Sequence, residues 1–234
     1  MQLLPGKARR GLLFAALFLL PWAAMAQEIG DIYEPDCMPL KIEGKHGPFD
    51  YRKTTQAERT LVEQPHFTEH YRAYQLGKRR FKISKSGIIE TPAAGFGYTL
   101  WAFPNHYLSL IAVEDLGYRQ KKERLDGLPL RVHCYFQRAV KFVPDDGLVR
   151  ALYGYYQSRR GNAAEADWQL AQAIEIKAED RNVLVYSAFA RLELGQPEAA
   201  VELARKAYAL GYNLPGLRER LARAGHPLEP LSKQ

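Results

Sequence analysis

Apolar residues recur at helical spacing through the second half of the chain. Between Ala163 and Lys177 they fall at Ala166, Leu170, Ala173 and Ile174, steps of three and four that put them on one face of a helix. Upstream, the run from Gly147 through Arg160 predicts a helix that stops at the tight turn Gly161-Asn162. The plan repeats with a helix over 182–194, a break at Gly195-Gln196-Pro197, and a helix over 198–210. Another helix is expected over 132–143, with a partner starting near His106. A last short one covers 214–224, with Pro215 at its start and Gly225 at its end. Its Leu217, Leu221 and Ala224 form an apolar stripe, and Arg218, Glu219, Arg220 and Arg223 face water, as a terminal cap requires.

These helices keep a fixed step. Ala139, Ala173 and Ala207 are 34 residues apart, as are Gly127, Gly161 and Gly195, and Val132, Ala166 and Ala200. Gly154 and Ala188 keep the same interval and leave room for the two helices of a unit to approach. Pro104 and Pro144 are 40 apart, so the unit between them carries about six extra residues, placed in the charged stretch 119–124. By this period the chain resembles the tetratricopeptide family, whose helix–turn–helix units stack and share one core. The expected fold is therefore all-α: a tetratricopeptide-type solenoid over 105–226 with a C-terminal cap and a tail at 227–234. A degenerate helical region at 66–104 and an irregular arm at 27–65 precede it. The segments Gly47-Pro48-Phe49-Asp50-Tyr51-Arg52 and Ala102-Phe103-Pro104-Asn105-His106 also resemble segments of small exported bacterial tetratricopeptide proteins, which implies an envelope setting and supplies no activity.

The first 26 residues read as a targeting segment. Lys7, Arg9 and Arg10 precede an apolar run over 11–24, and Ala24-Met25-Ala26 offers small residues for cleavage before Gln27. The run is short for a membrane span, so a cleaved signal is expected in preference to a retained anchor. Export to a periplasmic or secreted location would make Cys37 and Cys134 a disulfide pair, with two buried thiols as the alternative. Closing 97 residues would contribute about 4–5 kcal/mol through the unfolded state. Cys134 lies about 200° round its helix from Val132. The bridge is therefore expected to fasten the arm to the outer side of the array.

Removing the three cations of 1–26 would lower the formal +7 to an excess of four, too small to suggest nucleic acid as partner. The excess is local: Lys78, Arg79, Arg80, Lys82 and Lys85 form one run, and Arg119, Lys121, Lys122 and Arg124 a second. Such runs are solvated faces or anion sites. His66-Phe67-Thr68-Glu69-His70 spells a two-histidine zinc motif, but Pro65 sets it at a helix start and the chain has no room for the catalytic domain it requires. With no phosphate loop, nucleophile elbow or dinucleotide fingerprint, neither enzymatic activity nor a cofactor nor a metal is expected.

A binding surface remains. The resemblance puts Tyr155, Arg159, Asn182, Tyr186 and Phe189 on the groove side of the array, where Tyr and Arg make good anchors. The reading favoured by the sequence is an adaptor that holds a protein partner in envelope assembly, secretion or surface-polymer export. A module for an anionic glycan or lipid headgroup, using the run 78–85, is the rival, and a zinc hydrolase a distant third.

Overall fold

The computed structural model describes residues 37, 39–41, 44 and 46–228, and within these the chain is mostly helical. The targeting segment lies outside the described residues, as do most of the arm and the last six residues of the tail. In chain order the elements are α1 (Gln56–Val62), a π-helical turn (Glu63–Phe67), α2 (Thr68–Gln75), β1 (Phe81–Lys82), β2 (Ile89–Glu90), α3 (Pro92–Ala102) and α4 (Tyr107–Gln120). There follow α5 (Val132–Phe142), α6 (Gly147–Ser158), α7 (Ala163–Lys177), α8 (Arg181–Glu193), α9 (Pro197–Ala209) and α10 (Gly216–Arg223). No described helix is long and apolar enough to cross a membrane.

The 34-residue step is a step between equivalent physical positions. Ala139, Ala173 and Ala207 are fully buried, and so are Val132, Ala166 and Ala200. Gly127, Gly161 and Gly195 share a left-handed backbone, which costs least without a Cβ; Gly161 and Gly195 follow the ends of α6 and α8, whereas Gly127 turns the 121–131 connector. The same step links Asp146 and Asp180: each accepts hydrogen bonds from the second and third backbone N–H groups of its helix, at 2.8–3.3 Å. Forty residues before Asp146, His106 does the same work through Nδ1, 3.2 Å from the Ser109 amide. The extra length is absorbed in the 121–131 connector, whereas α6–α7 and α8–α9 are joined by short turns.

Successive helices pack to give a large central cluster around Phe96, Leu110, Val132 and Phe136, and a C-terminal one around Leu184, Ala204 and Leu217. At Gly154 an added Cβ would lie 2.7 Å from the side chain of buried Leu170, which fits the close approach of α6 and α7 expected from the sequence.

Three features differ from the sequence reading. The arm contains a helix, α1, started by a reciprocal cap: Glu58 N–H donates to Thr55 Oγ1, and Thr55 N–H donates to Glu58 Oε2 at 2.7 Å. Pro65 does not open a helix; it sits inside the π-helical turn joining α1 to α2, where the widened ladder accommodates a residue with no N–H to give. Residues 81–90 form a small antiparallel hairpin, Phe81 opposite Glu90 and Lys82 opposite Ile89, in a stretch expected to be helical.

Cys37 and Cys134 are joined, their Cα atoms 4.9 Å apart. The bridge is not on an outer surface, because Cys134 is buried in the central cluster. The face of α5 that Cys134 occupies is covered by the arm. One turn on, buried Arg138 donates to the carbonyls of Pro39 and Leu40, and its guanidinium lies 4.4 Å from the Trp101 ring. What stays open on α5 is a different stripe, through half-buried His133, Gln137 and Val140 to exposed Lys141.

Candidate functional site

Two distant stretches of cations meet in one cleft of about 570 Å³. The segment after α2 contributes Lys78, Arg79 and Arg80, and the end of α4 with its connector contributes Arg119 and Lys122. Tyr74, Leu116 and Leu125 supply apolar surface, and Thr91, Pro92 and Ala93 bring the N-terminal turn of α3 to the rim. That turn carries the positive end of the α3 dipole, which adds to the field of the side chains. Asp126 is the one acidic residue in the lining.

Most of this charge is uncommitted. Arg119 is paired with Asp115 at 2.5 Å, and the Tyr74 hydroxyl donates to the same carboxylate at 2.9 Å. Burial, and then this bond, raise the Tyr74 hydroxyl well above its usual range and keep it a neutral donor. Lys78, Arg79, Arg80 and Lys122 are exposed and have no ion-pair partner among the described residues. Cations that outnumber the carboxylates around them hold unfavourable mutual repulsion, which a bound anion relieves.

The sequence singled out both runs but not their meeting. Lys82 and Lys85 lie outside the cleft, on the neighbouring hairpin, and Lys121 and Arg124 do not line it. Tyr74, Leu116 and Leu125 were missed. Helical spacing marks Tyr74 and Leu116 as core-facing, Leu125 lies in the 121–131 connector, and nothing local says that the core opens there.

The five groove residues separate in the structure. Tyr155, Tyr186 and Phe189 form a triangle with ring centroids 5.9–6.2 Å apart, all half-buried. Arg220 closes it, donating to the Tyr155 hydroxyl at 3.0 Å and pairing with Glu193. Arg159 is committed to Glu114 at 2.7 Å and lies over the Tyr118 ring at 3.2 Å. Burial pushes Glu114 up to about 7 against the pull of Arg159 and Arg160. Asn182 stands exposed in the first turn of α8, apart from the ring cluster. A void of about 10 Å³ between Glu114, Tyr155 and Tyr186 has room for at most one water.

The two-histidine motif is spent on architecture. His66 stacks on Tyr98 at 3.8 Å; Glu69 accepts from the Ser84 amide at 2.9 Å; His70 pairs with Glu90 at 3.0 Å and meets the edge of Phe81 at 5.0 Å. The three side chains diverge, and the last two fasten the hairpin to α2. Among the described residues only Cys37, His133 and Cys134 bring three ligating atoms within 4.8 Å, and the disulfide occupies both sulfurs.

The two short segments that resemble exported proteins close on each other. Asn105, fully buried, accepts from the Tyr51 amide at 2.9 Å and donates to Asp50 at 2.8 Å and Asp146 at 3.1 Å. Tyr107 also donates to Asp146, at 2.8 Å, and Arg52 bridges Asp50 and Asp145. Burial raises the Asp50 carboxyl, but Arg52 and Asn105 outweigh it and hold it at about 2. Every polar group here has a partner, so the knot reads as a clamp rather than a reactive centre. No family model matches the chain, and no curated protein or solved structure matches it.

Proposed function

We propose that the chain is an exported, tetratricopeptide-like array of helical pairs that works as a binding module for an anionic ligand. The observation that carries this reading is the convergence of Lys78, Arg79, Arg80, Arg119 and Lys122 around one open cleft with an apolar floor. Such a site fits a ligand with clustered phosphate, sulfate or carboxylate groups on a body that rests against Tyr74 and Leu116. The protein-partner groove has less support, because Tyr155, Tyr186, Phe189 and Arg159 are already engaged with each other and with Arg220 and Glu114.

Titration with inositol hexakisphosphate at increasing salt tests the reading. Binding should weaken steeply as salt rises and disappear in the triple reversal Lys78→Glu, Arg79→Glu, Arg80→Glu, with the circular dichroism spectrum unchanged. Equal binding by the reversed variant would refute it.

A further inference from the structure

The hairpin beside the cleft carries apolar side chains in water. Ile88 and Ile89 are 56% and 60% exposed, although β-branched residues ordinarily close a core. Ile89 stands opposite Lys82 across the β1–β2 pair, and Lys85 lies in the turn. Through 78–90 there are five cations and one acidic side chain, Glu90, which is held by His70. The hairpin is not a loose tip, since Glu69 fixes the Ser84 amide and His70 fixes Glu90. Ile89 shares the Lys82 side of the hairpin and Ile88 the other, and both stay exposed at its end among exposed cations, next to the cationic cleft.

We propose that this hairpin enters an anionic lipid bilayer end-first, with phosphate headgroups taken by the cations and Ile88 and Ile89, one on each side of it, inserted among the acyl chains. The proposal rests on the anion-binding reading of Lys78, Arg79 and Arg80 and names the source of the anion. A bilayer alone among anionic surfaces offers both charges for the cations and a hydrocarbon layer for the isoleucines. A soluble glycan would leave Ile88 and Ile89 in water. A second copy of the chain meeting this face to face would set five cations against five.

The test is flotation of the full chain with phosphatidylcholine vesicles, with and without phosphatidylglycerol, beside titration with inositol hexakisphosphate. The chain should float with the anionic vesicles and not with the neutral ones. Ile88→Ser with Ile89→Ser should weaken vesicle partition at least about thirtyfold and leave inositol hexakisphosphate affinity unchanged. The triple charge reversal should lose both. In Ile89→Trp, fluorescence should shift to the blue on adding anionic vesicles, which reports burial of that position directly. If the soluble polyanion binds but anionic vesicles bind no better than neutral ones, or if the double serine variant floats like the parent, bilayer docking is wrong and the cleft reading stands. If neither probe binds, both fall. Concentration-dependent self-association abolished by the serine changes would assign the isoleucines to a second copy and overturn the proposal.

Discussion

Replacing Asn105 by alanine should weaken the fold far more than a single surface change, because three strands of contact run through one side chain. Two of its hydrogen bonds go to carboxylates and are worth about 1.5–3 kcal/mol each, and the third, from the Tyr51 amide, about 1 kcal/mol. Their sum overstates the loss, since Asp50 keeps Arg52 and Asp146 keeps Tyr107 and two backbone amides. Only the Tyr51 amide is left with nothing, which brings the expected cost to about 3 kcal/mol. For a chain of this size that is a fall in Tm of roughly 6–12 °C. Urea unfolding followed at 222 nm should show a lower midpoint with an unchanged slope. Asn105→Asp is the matched control. It keeps the shape and the acceptor but aims a third carboxylate at Asp50 and Asp146, so it should be at least as damaging at neutral pH. A double-mutant cycle with Asp50→Ala should give a coupling of about 1 kcal/mol or more. A loss below about 1 kcal/mol for Asn105→Ala, or no coupling, would mean that the two segments are not clamped as described.

Gly154→Ala sets helix propensity, a gain of about 1 kcal/mol, against overpacking on buried Leu170, a cost of about 1–3 kcal/mol. Overpacking should win, with a net loss seen in thermal unfolding, and a stabilised variant would refute the close approach. Glu114 has a raised folded value near 7. Its contribution is therefore fullest below its unfolded value near 4.5 and is lost as pH rises through 7. Relative to Glu114→Gln, the parent should lose stability on the order of 3 kcal/mol between pH 4.5 and 7, and a flat difference across that window would contradict the buried placement.

The helices from residue 107 onward were legible because their apolar spacing, turn glycines and caps repeat. Gly161, Gly195, Asp146 and Asp180 do the same job at each recurrence. The region before it has no second copy to compare with, so the Thr55–Glu58 cap of α1 and the hairpin 81–90 passed unread. The candidate site was half legible. Charge runs are visible in one dimension, whereas the meeting of 78–80 with 119–122 is made by packing. Angular position on a helix also misled: it aimed Cys134 away from Val132, but the arm fills that side. For the groove-side aromatics the sequence left open whether they bind a partner or pack between units, and it could not show Arg220 reaching back 65 residues to Tyr155.

The knot that joins Asp50, Asn105 and Asp146 divides the chain by what it can tolerate when units are duplicated or lost. Between residues 53 and 145 the two ends are tied, so any added residues must bulge outward without moving the clamp. The long 121–131 connector is such an addition, and it folds back to bury Leu125 and Leu130 in the central cluster. Past Gly147 each helical pair packs chiefly on its neighbours, so a whole 34-residue module inserted or removed at a turn such as Gly161 or Gly195 would displace the rest as a block, at the cost of the Arg220–Tyr155 contact that spans both turns. Growth of such an array is therefore confined to its C-terminal side, and the cleft on its other side keeps its shape whatever the length of the tail end.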